Sequence, residues 1–235
     1  MHASTMPRSN QLLAALPAAA YRRLLPHLEA TNLSAEETLF QLGRPLRFAY
    51  FPTSSIVTLS YAVDEDGMMA KAWPVGREGM VGISAILGNP KHDNRADVQF
   101  AGLAFRISVG ALLAEFHLAG SLQSLLLRYV FALITQASQL GVCNQHHSLE
   151  QRFCRFLSRA LDRIDRDEIN VTQERIGKIL GVRRVSITEI ELRLQADGVI
   201  EYRRGHVTVL NRRKLEDRAC ACGGIIRRAF TAVSE

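Results

Sequence analysis

The stretch VTQERIGKILGVRRVSITEIELRLQADGVIEYRRGHVTVL, residues 171–210, decides how the rest of the chain is read. Thr172 is placed to cap a helix, because its hydroxyl can accept an amide that the first turn leaves free. Ile176, Ile179 and Leu180 then recur at helical spacing, which leaves Glu174, Arg175 and Lys178 on a wet face. Gly181 follows, the residue best able to take the left-handed conformation that ends a helix. A second periodic run starts near Arg184, with Ile187, Ile190 and Leu194 on one face, and Asp197-Gly198 closes it. Residues 199–202 and 206–210 read as strands, with Arg203-Arg204-Gly205 as the turn between them.

Two helices across a short glycine turn form the arrangement that lays its second helix in the DNA major groove. The outward face of that helix would carry Arg183, Arg184, Val185, Ser186, Glu189 and Arg193. Thr172 and Gln173 at the start of the first helix, and Arg203 and Arg204 in the wing, complete the expected contact set. Arginine suits phosphate or guanine, serine a phosphate or base edge, and glutamate can accept from the cytosine amino group. The plain alternative is a small helical hairpin with a solvated basic face. Charge favours the first reading. Between residues 171 and 214 the bases are Arg175, Lys178, Arg183, Arg184, Arg193, Arg203, Arg204, Arg212, Arg213 and Lys214, and the acids are Glu174, Glu189, Glu191, Asp197 and Glu201. That excess of +5 is most of the chain's formal +6, the sign and location a phosphate-binding surface requires.

Thr172-Gln-Glu, Ile176-Gly177, Leu180-Gly181, Arg184-Val-Ser-Ile and the hairpin together resemble the winged helix-turn-helix of the Crp–Fnr transcription regulators. The resemblance extends upstream through Tyr50-Phe-Pro-Thr-Ser-Ser-Ile-Val, Gly76-Arg-Glu-Gly-Met-Val-Gly and His147-Ser-Leu-Glu-Gln-Arg, so it covers roughly residues 15–225. It implies that Arg184 and Ser186 contact DNA. Val185 and Glu189 stand where a glutamate and an arginine are common in the family, so base preference should differ from the usual family site, with Val185 placed to meet a thymine methyl.

At 235 residues the chain has room for two ordinary domains, and 47% hydrophobic with 22% charged residues is a globular balance. The pI near 9.5 favours an anionic partner, and no basic amphipathic helix stands alone to suggest a membrane surface. The apolar part of the first 23 residues is short, interrupted by Pro17 and without a basic lead, which argues against a signal peptide and for a cytoplasmic protein. Cys143, Cys154, Cys220 and Cys222 are too few for a disulfide framework. Cys220-Ala-Cys222 lacks the paired spacing of a zinc site, so no metal is expected there, and the role of this pair is left open. The iron–sulfur branch of the resembled family uses cysteines near the N-terminus, and none precedes residue 143 here.

Residues 10–28 show helical spacing, with Pro17 placed to open a second short helix. From residue 31 to 107 the pattern is short strands, expected at 38–42, 48–51, 56–62, 68–74 and 98–107, with turns at 43–45, 64–67 and 88–90. The resemblance implies that these strands form a β-roll of the cyclic-nucleotide-binding type. In that roll a Gly-Glu pair meets the ribose, and an Arg-Ser or Arg-Thr clamps the phosphate. The matching positions are Gly82-Ile83 and Arg95-Ala96: Ile83 cannot accept from a ribose hydroxyl and Ala96 has none to offer. Cyclic AMP is therefore not expected as the effector, and Arg95 is either an anion contact or a solvated loop residue.

Residues 118–145 form the longest helical pattern. Leu122, Leu126, Tyr129, Leu133, Gln136, Leu140 and Cys143 fall at steps of four and three, a coiled-coil seam. Val130, Phe131 and Ile134 make other faces apolar too, so the helix needs cover on more than one side. The simplest arrangement packs one side on the roll and the seam on a second copy, and the alternative is a helix buried within one chain. Asn144-Gln-His-His147 breaks the pattern, and Ser148 with Gln151 forms a capping box opening the next helix. A turn at 165–168 leads to a short strand, and Asn211 can cap a last helix.

The expectation is an α+β chain: a β-roll domain over residues 1–117, a dimerisation helix and hinge over 118–146, and a winged helix-turn-helix domain over 147–235. Its expected partners are double-stranded DNA with a near-palindromic operator, a second copy of itself, and RNA polymerase; no membrane and no cofactor are expected. The rival reading is a small-ligand sensor whose DNA binding depends on occupancy of the roll. An enzyme is not expected, because no nucleophile-and-base pair and no phosphate-binding glycine loop is found.

Overall fold

The computed structural model describes residues 6–63, 69–88, 94–164 and 168–235. The expected turns at 64–67, 89–90 and 165–167 lie outside the described residues. The rest gathers into two compact units, Met1–Thr135 with Arg228–Glu235, and Gln136–Arg227.

The first unit begins with α1 (Gln11–Ala15) and α2 (Ala18–Leu24), separated by Leu16-Pro17 as the proline signal predicts. Asn10 caps α1 by accepting from the amides of Leu12 and Leu13. Its own amide donates to Pro52 O at 2.9 Å and Gly79 O at 2.8 Å, so one buried side chain ties the first helix to the roll. Seven strands follow: β1 (Glu29–Leu33), β2 (Thr38–Phe40), β3 (Phe48–Pro52), β4 (Ile56–Ala62), β5 (Met69–Val75), β6 (Asn94–Phe100) and β7 (Gly102–Ser108). They form two antiparallel sheets in the orders β1-β7-β3 and β2-β6-β4-β5. Residues 98–107, expected as one strand, are two strands in different sheets. The chain leaves one sheet at Ala101 and enters the other at Gly102, where a β-carbon would sit 2.6 Å from the backbone of Ser54, so only glycine allows this close passage. Leu33, Phe40, Val57, Leu59, Val75, Val81, Ala96, Val98 and Ala104 form the buried core of the roll.

After α3 (Val109–Phe116), α4 (Ser121–His146) starts in the first unit and ends in the second. The division within this helix, rather than after residue 146, has a packing cause. Tyr129 lies against the roll, whereas Cys143 clusters with Cys220 and Cys222. The second unit continues with α5 (Leu149–Ile164), opened by the reciprocal box in which Ser148 N donates to Gln151 Oε1 and Gln151 N to Ser148 Oγ. Next come β8 (Glu168–Asn170), α6 (Gln173–Leu180), α7 (Arg184–Ala196), β9 (Ile200–Arg203), β10 (His206–Val209) and α8 (Arg212–Arg218). The last helix, α9 (Cys222–Thr231), returns to the first unit from Arg228 onward. The three short strands pair in the order β8-β10-β9, a wing one strand wider than the hairpin.

Candidate nucleic-acid interface

The element expected to read DNA is α7. Thr172 caps α6 by accepting from Arg175 N, and Gly181 ends it at φ 69°. Val182 N returns to Gly177 O at 2.9 Å, and a β-carbon on Gly177 would lie 2.8 Å from Val182 O. The turn is therefore drawn onto the helix it leaves, which sets how α7 crosses α6. Ile187, Ile190 and Leu194 are buried, as their spacing predicts, while Val185 (58% exposed) and Leu192 (61%) face outward with Arg184, Glu189 and Arg193.

The expected contact residues divide into two groups. Arg183, Arg184, Val185 and Glu189 lie exposed or half-exposed at the first turns of α7, with Ser186 half-buried among them. Arg204 is exposed at the tip of the wing with φ 46°, next to Gly205 at φ 88°. Two positive φ values in a two-residue loop suit asparagine and glycine far better than arginine, so the wing holds a cation at some cost in local strain. Arg183, Arg204, Arg213 and Lys214 have no ion-pair partner among the described residues and are free to meet phosphate. Other cations are already committed: Arg193 to Glu150 at 3.3 Å and Arg203 to Glu201 at 2.7 Å. Pairs this exposed are weak and exchange readily, so they do not bar DNA contact.

Gln173 is a correction. It is buried (9% exposed), and its side chain braces the two helices rather than reaching outward. Its Nε2 donates to Glu191 Oε2 at 2.6 Å, and its Oε1 accepts from Thr188 Oγ1 at 3.0 Å and Arg184 Nε at 3.3 Å. The acceptor and one donor hydrogen of the amide thus work inside the domain. Residue type alone hides this: Glu191 lies between Ile187 and Leu194 on the apolar face of α7, a spacing that places it inward but names no partner.

Glu191 is 1% exposed, and its Oε1 has no hydrogen-bond partner among the described residues. Burial pushes its pKa up to about 7, against a smaller lowering by the Gln173 hydrogen bond. The folded domain thus holds this proton more tightly than the unfolded chain does. The resulting stability is complete at pH values below the ordinary carboxylate range and is lost as pH rises through about 7. Glu191→Gln keeps an acceptor for Gln173 and removes the titration. It should stabilise the domain at pH 8 by the order of 2 kcal/mol and leave it unchanged near pH 4, measured as urea-unfolding midpoints. Equal midpoint shifts at both pH values would refute the buried-carboxyl explanation.

In the roll, Gly82 and Ile83 line a cavity of about 340 Å³ together with Phe40, Tyr61, Trp73 and Leu133. Arg95 and Ala96, the other two residues expected at an effector pocket, do not line it. Arg95 donates to Asp97 Oδ1 at 2.8 Å and Thr38 Oγ1 at 3.0 Å on the outside of its sheet, and Ala96 is fully buried in the core. No cation therefore reaches the cavity wall among the described residues. Trp73 and Asn94 also line it, and each buries a polar atom, Nε1 and Oδ1, that has no hydrogen-bond partner among the described residues.

The seam on α4 is also corrected. Leu122, Leu126, Tyr129 and Gln136 are buried within the single chain, and Leu133 and Leu140 are half-buried. Tyr129 accepts from Met80 N at 3.1 Å and donates to Met80 O at 3.0 Å, and Gly79 leaves room for its ring. The apolar face left exposed is instead Leu127 (51%), Phe131 (70%), Ile134 (57%) and Val142 (48%). With apolar residues on every side, periodicity alone could not choose which stripe turns inward. By length and hydropathy, α4 is also the one described helix that could cross a membrane. Its buried Tyr129 hydrogen bonds show one side packed on the roll instead.

Residues 151–218 match the family model described as the Crp-like helix-turn-helix domain. No curated protein matches the chain. Among solved structures, FixK2 from Bradyrhizobium japonicum superposes with a TM-score of 0.69 at 15% identity, covering 83% of this chain and 98% of its own. TTHB099, a transcriptional regulator of the CRP family from Thermus thermophilus, superposes with a TM-score of 0.63 at 18% identity, covering 80% and 96%. The c-di-GMP responsive global regulator CLP of Xanthomonas campestris superposes with a TM-score of 0.58 at 18% identity, covering 82% and 99%. The exposed basic helix, the wing and the roll thus belong to a chain with the fold of the Crp–Fnr transcription regulators and a Crp-like helix-turn-helix DNA-binding domain.

Proposed function

We propose that this chain is a homodimeric, sequence-specific transcription regulator of the bacterial cytoplasm, controlled by something other than cyclic AMP. The observation that carries the reading is the outward start of α7, where Arg183, Arg184, Val185 and Glu189 are presented together with the Arg204 wing tip. Two copies joined through the exposed Leu127, Phe131 and Ile134 face of α4 would offer two such helices to successive major grooves. Half-sites would then lie about one helical turn, roughly 34 Å, apart on a near-palindromic operator. Selection of bound duplexes from a random-sequence pool by the full-length protein tests this directly. A recovered inverted repeat with that spacing is the expected result, and a pool that stays random in sequence overturns it.

On the recovered operator, Arg183→Ala should weaken all duplexes alike and reduce the salt slope by about one unit, because Arg183 has no ion-pair partner among the described residues. Glu189→Ala should instead relax preference at a single base pair, by roughly 1–3 kcal/mol of lost discrimination. Uniform losses for both variants across operator mutants would contradict that division.

A role for a small effector rests on a separate observation. The roll cavity is lined mostly by apolar side chains, and Arg95 and Ala96, the positions expected to clamp a phosphate, do not line it. It suits a largely apolar ligand rather than a nucleotide phosphate held at those two positions. Calorimetry with cyclic nucleotides is expected to give no stoichiometric binding.

A further inference from the structure

The sequence separates Cys143 and His147 from Cys220 and Cys222 by more than seventy positions, yet the fold of the second unit closes them into one cluster. The four donor atoms, three thiol sulfurs and one imidazole nitrogen, all lie within 4.8 Å of one another. Cys143 Sγ is 3.4 Å from Cys220 Sγ, and Cys222 Sγ is 3.5 Å from His147 Nδ1. Around a tetrahedral zinc ion, with Zn–S of about 2.3 Å and Zn–N of about 2.0–2.1 Å, neighbouring ligand atoms stand about 3.5–3.8 Å apart. The sulfur–nitrogen edge matches that spacing, and the sulfur–sulfur edge is about 0.3–0.4 Å shorter than it.

Local structure explains how the donors meet. The last helical hydrogen bond of the α4 region, His147 N to Cys143 O at 3.1 Å, puts these two residues one turn apart on one face. Cys220 and Cys222 flank the start of α9, at positions where the chain has just left α8. All three cysteines are buried and form no disulfide. Buried cysteines alone would read as small apolar packing residues. The imidazole nitrogen aimed at the same point is what packing does not call for.

The surroundings suit an anionic thiolate complex. Gln139 Nε2 donates to Cys222 Sγ at 3.1 Å, the outer hydrogen bond that orients a metal-bound sulfur. Arg155 packs beside this turn, its Cγ 3.4 Å from where a β-carbon on Gly223 would sit, and its buried Nε has no hydrogen-bond partner among the described residues.

We propose that Cys143, His147, Cys220 and Cys222 form a closed structural site for a divalent, thiophilic metal ion, zinc in the first instance. Binding replaces the three thiol protons, which leave to solvent, with one dication; the complex carries a net charge of −1, and neutral His147 supplies the fourth ligand through Nδ1. The ion fastens the turn between α4 and α5 to the segment joining α8 and α9, so it stiffens the one place where the long helix hands over to the DNA-binding fold. The assignment does not depend on the DNA reading, because it concerns only metal content and coordination.

The test uses the full-length chain purified under reducing conditions from zinc-replete cells. The expected result is about one zinc per chain by mass spectrometry of metals. Exchange into cobalt should give the intense visible bands of a tetrahedral thiolate complex. Cys143→Ser and Cys222→Ser should lose those bands, while Cys154→Ala, at a buried cysteine outside the cluster, should keep them. Should the cysteine variants fail to fold, Gln139→Leu still decides, because removing the outer hydrogen bond should weaken metal affinity about tenfold in chelator competition. The proposal is overturned by a wild-type chain that stays metal-free after anaerobic reconstitution. It is equally overturned by a Cys143–Cys220 disulfide in freshly alkylated protein, or by iron accompanied by acid-labile sulfide.

Discussion

Gly177→Val is expected to unfold the helix-turn-helix and abolish operator binding. A β-carbon at this position meets Val182 O at 2.8 Å, and that oxygen belongs to backbone rather than to a flexible side-chain end. The backbone has little freedom to retreat, since Gly177 O accepts from both Gly181 N and Val182 N. Valine adds two further methyl groups to the same gap, so the loss should reach about 3 kcal/mol or more, against a helix-propensity gain of less than about 1 kcal/mol. Gly110 in α3 supplies the contrast, because nothing lies within 4 Å of its would-be β-carbon. Gly110→Ala should therefore stabilise by about 0.5–1 kcal/mol. Thermal or urea unfolding measures both, and a wild-type midpoint for Gly177→Val would refute the close-contact account.

That glycine also marks what could be read from residues alone. The helix-turn-helix was legible because its boundaries use local chemistry: a hydroxyl at Thr172, glycines at 181 and 198, and an Asn211 side chain accepting from Lys214 N at the start of α8. Each signal acts within four residues, so no tertiary knowledge is needed to see it. The roles of Gln173, Glu191 and Arg95 were not legible. Gln173 and Glu191 meet across two helices, and Arg95 bonds both Asp97 on its own strand and Thr38 on another; an isolated polar residue gives no clue whether it braces a fold or faces a ligand. The cysteine cluster lies between these cases. Residues 219–223 by themselves offer only a Cys-x-Cys pair. The informative spacing was Cys143-x-x-x-His147, one helical turn, and it was hidden because Cys143 also fitted the heptad pattern of α4. The same ambiguity misassigned the seam itself, since a helix apolar on every side supports several registers equally.

The choice of register has a direct experimental consequence at Phe131. Its side chain is 70% exposed in the single chain, so Phe131→Glu should change the stability of that chain by no more than about 0.5 kcal/mol. In a dimer joined through Leu127, Phe131 and Ile134, the same substitution buries two like charges near the twofold axis, a cost of several kcal/mol that association has no means to offset. The full-length variant should therefore sediment as a single subunit. With two recognition helices no longer linked, affinity for a full operator should fall by roughly 10²–10⁴, the factor that bivalent engagement contributes, while binding to an isolated half-site stays near its original value. Gln136→Leu provides the internal comparison: this residue is 3% exposed within the chain, so the change should leave the oligomeric state intact. A Phe131→Glu protein that remains dimeric and holds the operator as tightly as before would place the self-association surface elsewhere, whereas dissociation on Gln136→Leu alone would restore the inward-facing stripe as the dimer seam.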